Sequence, residues 1–446
     1  MTLAHQSEKK SVPKSSQSAK LAALLDGNPV GIVYQTPAGQ FRFVYDEIWR
    51  GRTDAYPISL SMPLTASEHS HSAINAFLWG LLPDNTSTLE HYARIFGVSS
   101  GNPVALLSHI GADCAGAVQF IAPDQVETLT RDGNAHDRID WLTEQEVEAE
   151  LRTVRKRGVP GTNARTVGQF SLAGAQPKIA LLEENGRWGR PFGRIPTNRI
   201  LKPPSPNFEG FAENEHFCLD MAIELELGSV QSRVAKFGSE VAIVVDRFDR
   251  RKDGDQYVRI HQEDACQALG LLPSLKYEAD GGPGIPRIVR LLRDSSQNAG
   301  RDVERFLDAI ALNWVLVATD AHAKNFALLH GSGGATRLAP FYDIASYLPY
   351  ADDRLSRVKL AMRIGGEYLV RRIGRKHWES FAVTIGLSPA VIVDKVSHVV
   401  ERVEELAPIV SAQGIADGLS ASIMNSLAHK VVERAKACKL LLSVGS

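Results

Sequence analysis

Asp320 and Asn325 stand five positions apart in the string TDAHAKNF that begins at Thr319. An aspartate followed five residues later by an asparagine, in a polar loop, is an arrangement suited to phosphoryl transfer. The aspartate accepts the proton of an attacking hydroxyl, and the asparagine holds a metal ion that bridges nucleotide phosphates. Asp343 lies eighteen positions beyond Asn325 and offers a second oxygen ligand of the kind a hard divalent cation takes. Each residue alone has an ordinary structural reading: Asp320 caps a turn, Asn325 supplies a loop conformation, Asp343 is a solvated strand end. Their order along the chain points to a shared site.

The elements around them must do the positioning. Val303, Phe306, Leu307, Ile310, Trp314 and Val317 recur at three- and four-residue steps, which predicts an amphipathic helix over 301–318. After the polar loop, FALLH from Phe326, the turn GSGG from Gly331 and RLAPF from Arg337 read as a hairpin ending at Tyr342 and Asp343. A hairpin returns the chain to its start, so Asp343 is expected beside Asn325.

The same chemistry requires a backbone lid over phosphates and a lysine to neutralise them. The segment GQFSLAGAQ from Gly168 joins two strand-like stretches and is built of small residues, which lets main-chain N–H groups approach phosphate oxygens. It is neither a Walker A loop nor a GxGxxG loop, and a plain β-turn is its other reading. Lys202 ends the strand RILK, before Pro203 and Pro204. The following helix, over 212–227, carries Glu213 and Glu215, either of which could pair with it. Asp246, Arg247 and Phe248 end the buried strand VAIVV, where a two-lobed kinase has the hinge that binds adenine. His322 and Lys324 either contact phosphate or brace the loop. His261–Asp264 reads as a helix start, where carboxylates suit the N-terminus.

At 446 residues the chain is long enough for two or three domains. Lys+Arg is 50 against Asp+Glu 51, so no global field draws it to nucleic acid or membrane. The densest basic run, RRIGRKH from Arg371, reads as a solvated helix face, with an acidic partner or phosphates as the other reading. Cys114, Cys218, Cys266 and Cys438 include no C-x-x-C pair, which argues against a disulfide framework or a zinc site and points to a reducing cytosol. No apolar run approaches a membrane span. The expected layout is a disordered tail over 1–20, a small α+β domain over 21–125, a polar connector over 126–165 with a helix near 143–157, a mixed-strand unit over 166–250 and a mainly helical unit over 251–440. The turn GLLPDN from Gly80 either docks onto the next domain or simply stops a helix. Asn185-Gly186 between apolar runs marks a hairpin. Pro, Gly and Ser near 384–390 and 408–420 are expected to break the C-terminal helices.

Taken together, SLAGAQPK from Ser171, ILK from Ile200, DRFDR from Asp246, QEDACQALG from Gln262, GGPG from Gly281, TDAHAKNF from Thr319 and PFYD from Pro340 resemble the HipA toxin kinases of bacterial HipA–HipB toxin–antitoxin modules. The resemblance runs from about Leu21 and includes GLLPDN and IGADCAGAVQ from Ile110. It implies an α+β, two-lobed, protein-kinase-like fold and a serine/threonine protein kinase using ATP and Mg²⁺. It implies a nucleotide site lined by Ala173, Gly174, Ala175, Gln176, Pro177 and Lys178 of the lid, by Lys202, and by Asp246, Arg247 and Phe248. His322, Ala323, Lys324, Asn325, Tyr342 and Asp343 complete that lining, with Asp320 catalytic and Asn325 and Asp343 on the metal. Ser171 matches a lid serine that family members autophosphorylate; its other reading is a hydroxyl bonded within the loop. The implied partners are a dimeric helix-turn-helix antitoxin like HipB, operator DNA bound mainly through that antitoxin, and a protein substrate of the aminoacyl-tRNA synthetase class, above all glutamyl-tRNA synthetase, whose phosphorylation brings dormancy. The chain departs from the pattern at Pro177, where some relatives are acidic, at Ala321 for a common glycine and at Asp246 for a common glutamate. Pro177 removes one backbone donor from the lid. A small-molecule phosphotransferase and a catalytically dead co-repressor are the competing readings.

Overall fold

The computed structural model describes residues 20–127, 137–159, 161, 163, 167–204, 208–254 and 256–443. The expected tail lies outside them except for Lys20, which opens β1 (Lys20–Leu25). Asp26 and Gly27, at φ 46° and 79°, turn the chain into β2 (Asn28–Gln35), since a tight hairpin needs positive φ at both turn residues. With β3 (Phe41–Tyr45), β4 (Glu68–His69) and β6 (Val118–Ile121) they form a sheet in the order β4-β3-β2-β1-β6. Helices α1 (His71–Leu81), α2 (Thr86–Phe96) and α3 (Pro103–Ile110) pack on it. Phe77, Leu78 and Leu107 join Phe43 and Phe120 in one core. The short strand β5 (Asp113–Cys114) leaves this domain to pair in parallel with β8 (Phe170–Ser171).

The small lobe is an antiparallel sheet in the order β12-β13-β11-β9-β10-β7, made of β7 (Arg138–Leu142), β9 (Ile179–Glu184), β10 (Arg187–Phe192), β11 (Arg199–Lys202), β12 (Ser232–Phe237) and β13 (Glu240–Asp246). Asn185 and Gly186, at φ 51° and 73°, make the expected turn between β9 and β10. Of the connector expected over 126–165, residues 128–136, 160, 162 and 164–166 lie outside the described residues; residues 138–157 join this lobe, and the helix expected near 143–157 is present. β7 pairs with β10, and α4 (Glu144–Arg157) packs Val147, Leu151 and Val154 against Leu181, Leu201 and Val244. Three apolar residues at helical spacing bury one face of an otherwise charged helix, which overall polarity conceals. Thr143 and Glu146 close a capping box at its start, and Gly158 ends it at φ 70°. Helix α5 (Phe211–Glu224) then crosses between the lobes.

The larger lobe opens with the hairpin β14 (Arg250–Asp253) and β15 (Gln256–Arg259). His261–Asp264 is not a helix start but strand β16, paired with β17 (Ala327–Gly331), which in turn pairs with β18 (Ala335–Leu338). The ladder takes up its backbone groups, and the helical turn Ala265–Ala268 begins one residue later with Asp264 as its N-cap. Helices α6 (Ile285–Ser295), α7 (Ala299–Leu316), α8 (Arg375–Thr384), α9 (Pro389–Ala416) and α10 (Ala421–Ser443) build the rest, with a further hairpin, β19 (Lys359–Ile364) and β20 (Glu367–Leu369), that the helical expectation omitted. Helix α9 runs through Pro408 without a break. Arg371 and Arg372 lie in a turn, and only the second half of the basic run enters α8. All four cysteines are buried free thiols. The molecule is an α+β, two-lobed fold with an N-terminal domain against both lobes.

Candidate active site

Helix α7 buries Phe306, Ile310 and Trp314 and ends at Val317, whose φ of 53° turns the chain into the polar loop. Asn325 Nδ2 donates to the Asp320 carbonyl at 2.8 Å, and the Tyr342 hydroxyl donates to the Lys324 carbonyl at 2.6 Å. The loop is therefore clamped from inside and from the returning β17–β18 hairpin. Asp343 sits at φ 58°, a conformation disfavoured for a residue with a Cβ and concentrated at functional sites. Asp320 presents its carboxylate outward, 66% exposed.

Lys202, at the end of β11, is held between strands β9 and β13 and reaches the same place. Its Nζ lies 2.6 Å from Glu215 Oε1 and 2.7 Å from Asp343 Oδ1. Of the two glutamates on α5, Glu215 is thus the partner. Burial works against the Lys202 charge, but the Asp343 and Glu215 carboxylates outweigh it and hold its pKa above the usual lysine range. Burial likewise works against the Asp343 charge, and Lys202 and Lys178 overcome it, holding that carboxyl below its usual range. Glu215 Oε2 is buried with no hydrogen-bond partner among the described residues.

The lid over residues 172–178 closes one side. Gly174 adopts φ 107°, a conformation that favours glycine, and it leaves the position open beside Lys178 Nζ. Lys178 Nζ donates to the Ala173 carbonyl at 2.7 Å. Burial and the neighbouring Lys202 charge push the Lys178 pKa down to about 8. The GLLPDN turn docks onto this lid: the Asp84 N–H donates to the Gly174 carbonyl at 3.1 Å, and Pro83 bridges Gly174. Ser171 is buried, its hydroxyl donating to the Leu81 carbonyl at 2.8 Å.

These groups surround a cleft of about 630 Å³. Its lining includes Ala173, Gly174, Ala175, Gln176, Pro177 and Lys178, Lys202, Asp246, Arg247 and Phe248, Asp320, His322, Lys324 and Asn325, Tyr342 and Asp343. Ser171 and Ala323 lie outside the lining. Phe248 stacks on Tyr342 with ring centroids 5.5 Å apart, joining the chain after β13 to the loop. Arg247 anchors the end of β13 instead. Its N–H donates to the Asn198 carbonyl, and its guanidinium pairs with Asp249 at 2.8 Å. Lys324 braces the loop, with Nζ 2.8 Å from Asp264 and 3.2 Å from the Gly80 carbonyl. His322 packs its ring edge-on to Tyr277.

Sequence reasoning missed Lys276 and Tyr277. Lys276 pairs with Asp84 at 2.8 Å, and the Tyr277 hydroxyl donates to Asp320 Oδ1. Both sit in irregular chain without periodicity; the only nearby signal is GGPG at 281–284, which fixes a turn but not what precedes it.

A family model described as the HipA N-terminal domain matches residues 21–121, and one described as the HipA-like C-terminal domain matches residues 170–407. "Putative kinase Y4mE" of Sinorhizobium fredii is 35% identical over 418 residues, covering 93% of this chain and 97% of that one. The serine/threonine-protein kinase toxin HipA of Shewanella oneidensis is 27% identical over 389 residues, covering 83% and 84%. Among solved structures, the Shewanella oneidensis HipA, HipB and operator DNA complex superposes with a TM-score of 0.79 at 23% identity, covering 93% of this chain and 96% of that one. From the N-terminal domain into the larger lobe, this chain belongs to the HipA family.

Proposed function

We propose that the chain is an ATP-dependent serine/threonine protein kinase and the toxin half of a toxin–antitoxin pair. The observation that carries this reading is the meeting of Lys202, Glu215 and Asp343 in the cleft that also holds Asp320 and Asn325. Lys202, kept charged by two carboxylates, neutralises nucleotide phosphates. The Gly174 lid offers main-chain groups to them, and Asp246 to Phe248 flank the adenine. Asp320 orients the acceptor hydroxyl and takes its proton as the γ-phosphoryl group transfers in line. Asn325 and Asp343 would hold magnesium, which when bound neutralises charge on the transferring phosphoryl group. Two protein oxygens suit this ion, because it keeps water and phosphate oxygens for the rest of its shell.

Ser171 is the autophosphorylation site in this reading. Its burial means the lid must come away from Leu81 first, and a phosphate there would add nearly two negative charges beside the nucleotide's own. The partner is a dimeric helix-turn-helix antitoxin like HipB, with operator DNA bound mainly through it. A net charge of -1 supports a subsidiary DNA role for this chain. The acceptor class is an aminoacyl-tRNA synthetase, glutamyl-tRNA synthetase first, and its modification arrests growth. Four free thiols support a cytosolic setting, and among the described residues no helix is long and apolar enough to cross a membrane.

The test is incubation of the chain with γ-labelled ATP and host lysate, followed by identification of labelled proteins. Asp320→Ala should lower transfer by roughly 10²–10⁴ while ATP still binds. Labelling undiminished in that variant, or label confined to small molecules, would overturn the reading.

A further inference from the structure

Tyr277 lies between two short 3₁₀ turns, Pro273–Leu275 and Glu278–Asp280. Its hydroxyl donates to Asp320 Oδ1. That carboxylate is otherwise open, with His322 Nε2 at 3.9 Å, past hydrogen-bond range. A hydroxyl in this place has two possible meanings. It occupies the seat of the acceptor hydroxyl and must leave before transfer, or it fixes the rotation of the carboxylate and leaves Oδ2 for the acceptor.

The way Tyr277 is fastened decides between them. Its ring meets His322 edge-on, with centroids 5.0 Å apart. Its carbonyl accepts from the Asp280 and Gly282 N–H groups at 3.1 and 3.0 Å. A Cβ on Gly282 would run into the Leu275 carbonyl oxygen, so the segment is folded too closely for a side chain there. The Lys276 carbonyl accepts the Ala323 N–H at 3.1 Å, which stitches the segment to the catalytic loop itself. Lys276 Nζ lies 5.5 Å from the Tyr277 ring centroid and pairs with Asp84 of the N-terminal domain at 2.8 Å. A group tied on both sides and on its ring is arranged to stay. The proton also stays on the phenol, since burial and the Asp320 hydrogen bond raise its pKa.

We propose that Tyr277 is a positioning residue that fixes Asp320 for transfer, and that Asp84 of the N-terminal domain holds it there through Lys276. The inference rests on the kinase reading above. With Oδ1 engaged, Oδ2 is the oxygen left for the acceptor's proton. The N-terminal domain then contributes to turnover through a side chain that binds neither base nor acceptor.

The experiment uses the full chain with MgATP as the only substrate, reads ADP formation, and measures binding of a non-hydrolysable ATP analogue by calorimetry. Asp320→Asn comes first: if ADP formation survives it, the kinase reading falls and this inference with it. Where Asp320→Asn abolishes turnover, Tyr277→Phe keeps the ring and removes the hydroxyl. It should lower kcat about tenfold to a hundredfold, with KM for ATP and analogue affinity unchanged. Asp84→Asn keeps the main-chain bond to the lid and should also lower kcat; Lys276→Met should match it. The double variant Tyr277→Phe/Asp84→Asn should lose no more than the larger single loss, as two members of one unit do. A Tyr277→Phe kcat equal to or above wild type overturns the positioning role, and a rise would mark the phenol as an occupant to be displaced. An unchanged Asp84→Asn, or losses that multiply in the double variant, overturn the route through Asp84.

Discussion

Lys178 and Lys202 are two lysines in one cleft with opposite electrostatics. Lys202 has two carboxylates at hydrogen-bond distance, whereas Lys178 has a single carbonyl, and its pKa falls to about 8. At that pH about half of Lys178 is neutral in the free chain. Nucleotide phosphates favour its charged form, so ATP binding near pH 8 should take up a fraction of a proton from solution. Below about pH 6 Lys178 is protonated in both states and the uptake should vanish. Calorimetry in buffers of different ionisation enthalpy measures this directly, and Lys178→Met should abolish it. Heats at pH 8 that do not depend on the buffer would show that Lys178 is already charged or does not meet the phosphates. At this scale the gathering of Asp320, Asn325, Lys202 and Asp343 around one cleft was legible, because residue type, spacing and chain order set them out in sequence. Tyr277 was not, because a tyrosine in irregular chain carries no pattern; only the folded contact with Asp320 gives it meaning.

Elements were legible where periodicity is clean. Helix α7 and the β17–β18 hairpin stand within three residues of the expected spans, and they deliver the loop to the cleft. The readings failed where packing overrides local preference. Pro408 was expected to help break the C-terminal helices, yet α9 continues through it. Val403, Leu406, Ala407 and Val410 are buried on either side of it, and that continuous face stabilises the helix against the lost hydrogen bond. Pro408 itself is exposed. Pro408→Ala should therefore stabilise the chain, by up to about 3 kcal/mol, since alanine restores an N–H donor and has the better helix propensity. Chemical denaturation followed by far-UV circular dichroism would measure the gain. A loss of stability would mean that the ring makes a packing contribution larger than its helical cost.

Across the whole molecule, the three units meet at a buried ionic cluster that no sequence pattern announced, because its members come from separate units. Asp113, on β5 of the N-terminal domain, lies 2.8 Å from Arg250 and 3.4 Å from both Arg247 and Arg259. It also accepts hydrogen bonds from the Thr197 N–H and hydroxyl at 3.0 and 2.7 Å. Asp249 completes the cluster against Arg247 and Arg250. Arg247, just past β13, is thereby fixed to the N-terminal domain, and its side chain serves the architecture of the cleft. Removing one carboxylate leaves guanidinium groups buried and under-compensated, so Asp113→Asn should cost about 3–5 kcal/mol, far more than the net worth of the cluster. The pH dependence follows from the same charges. Burial works against the Asp113 carboxylate, but Arg250, Arg247 and Arg259 overcome it and hold its folded pKa below the ordinary 3.8. A depressed folded pKa means that the stabilisation is fully present above the unfolded value and is lost as pH falls through the folded one. Wild-type stability should therefore decline below about pH 4, and Asp113→Asn should lack that part of the decline. Denaturant titrations of both chains between neutral and acidic pH test the claim. Parallel curves for the two, or an Asp113→Asn chain as stable as wild type at neutral pH, would mean that the three units do not depend on this cluster to stay in register.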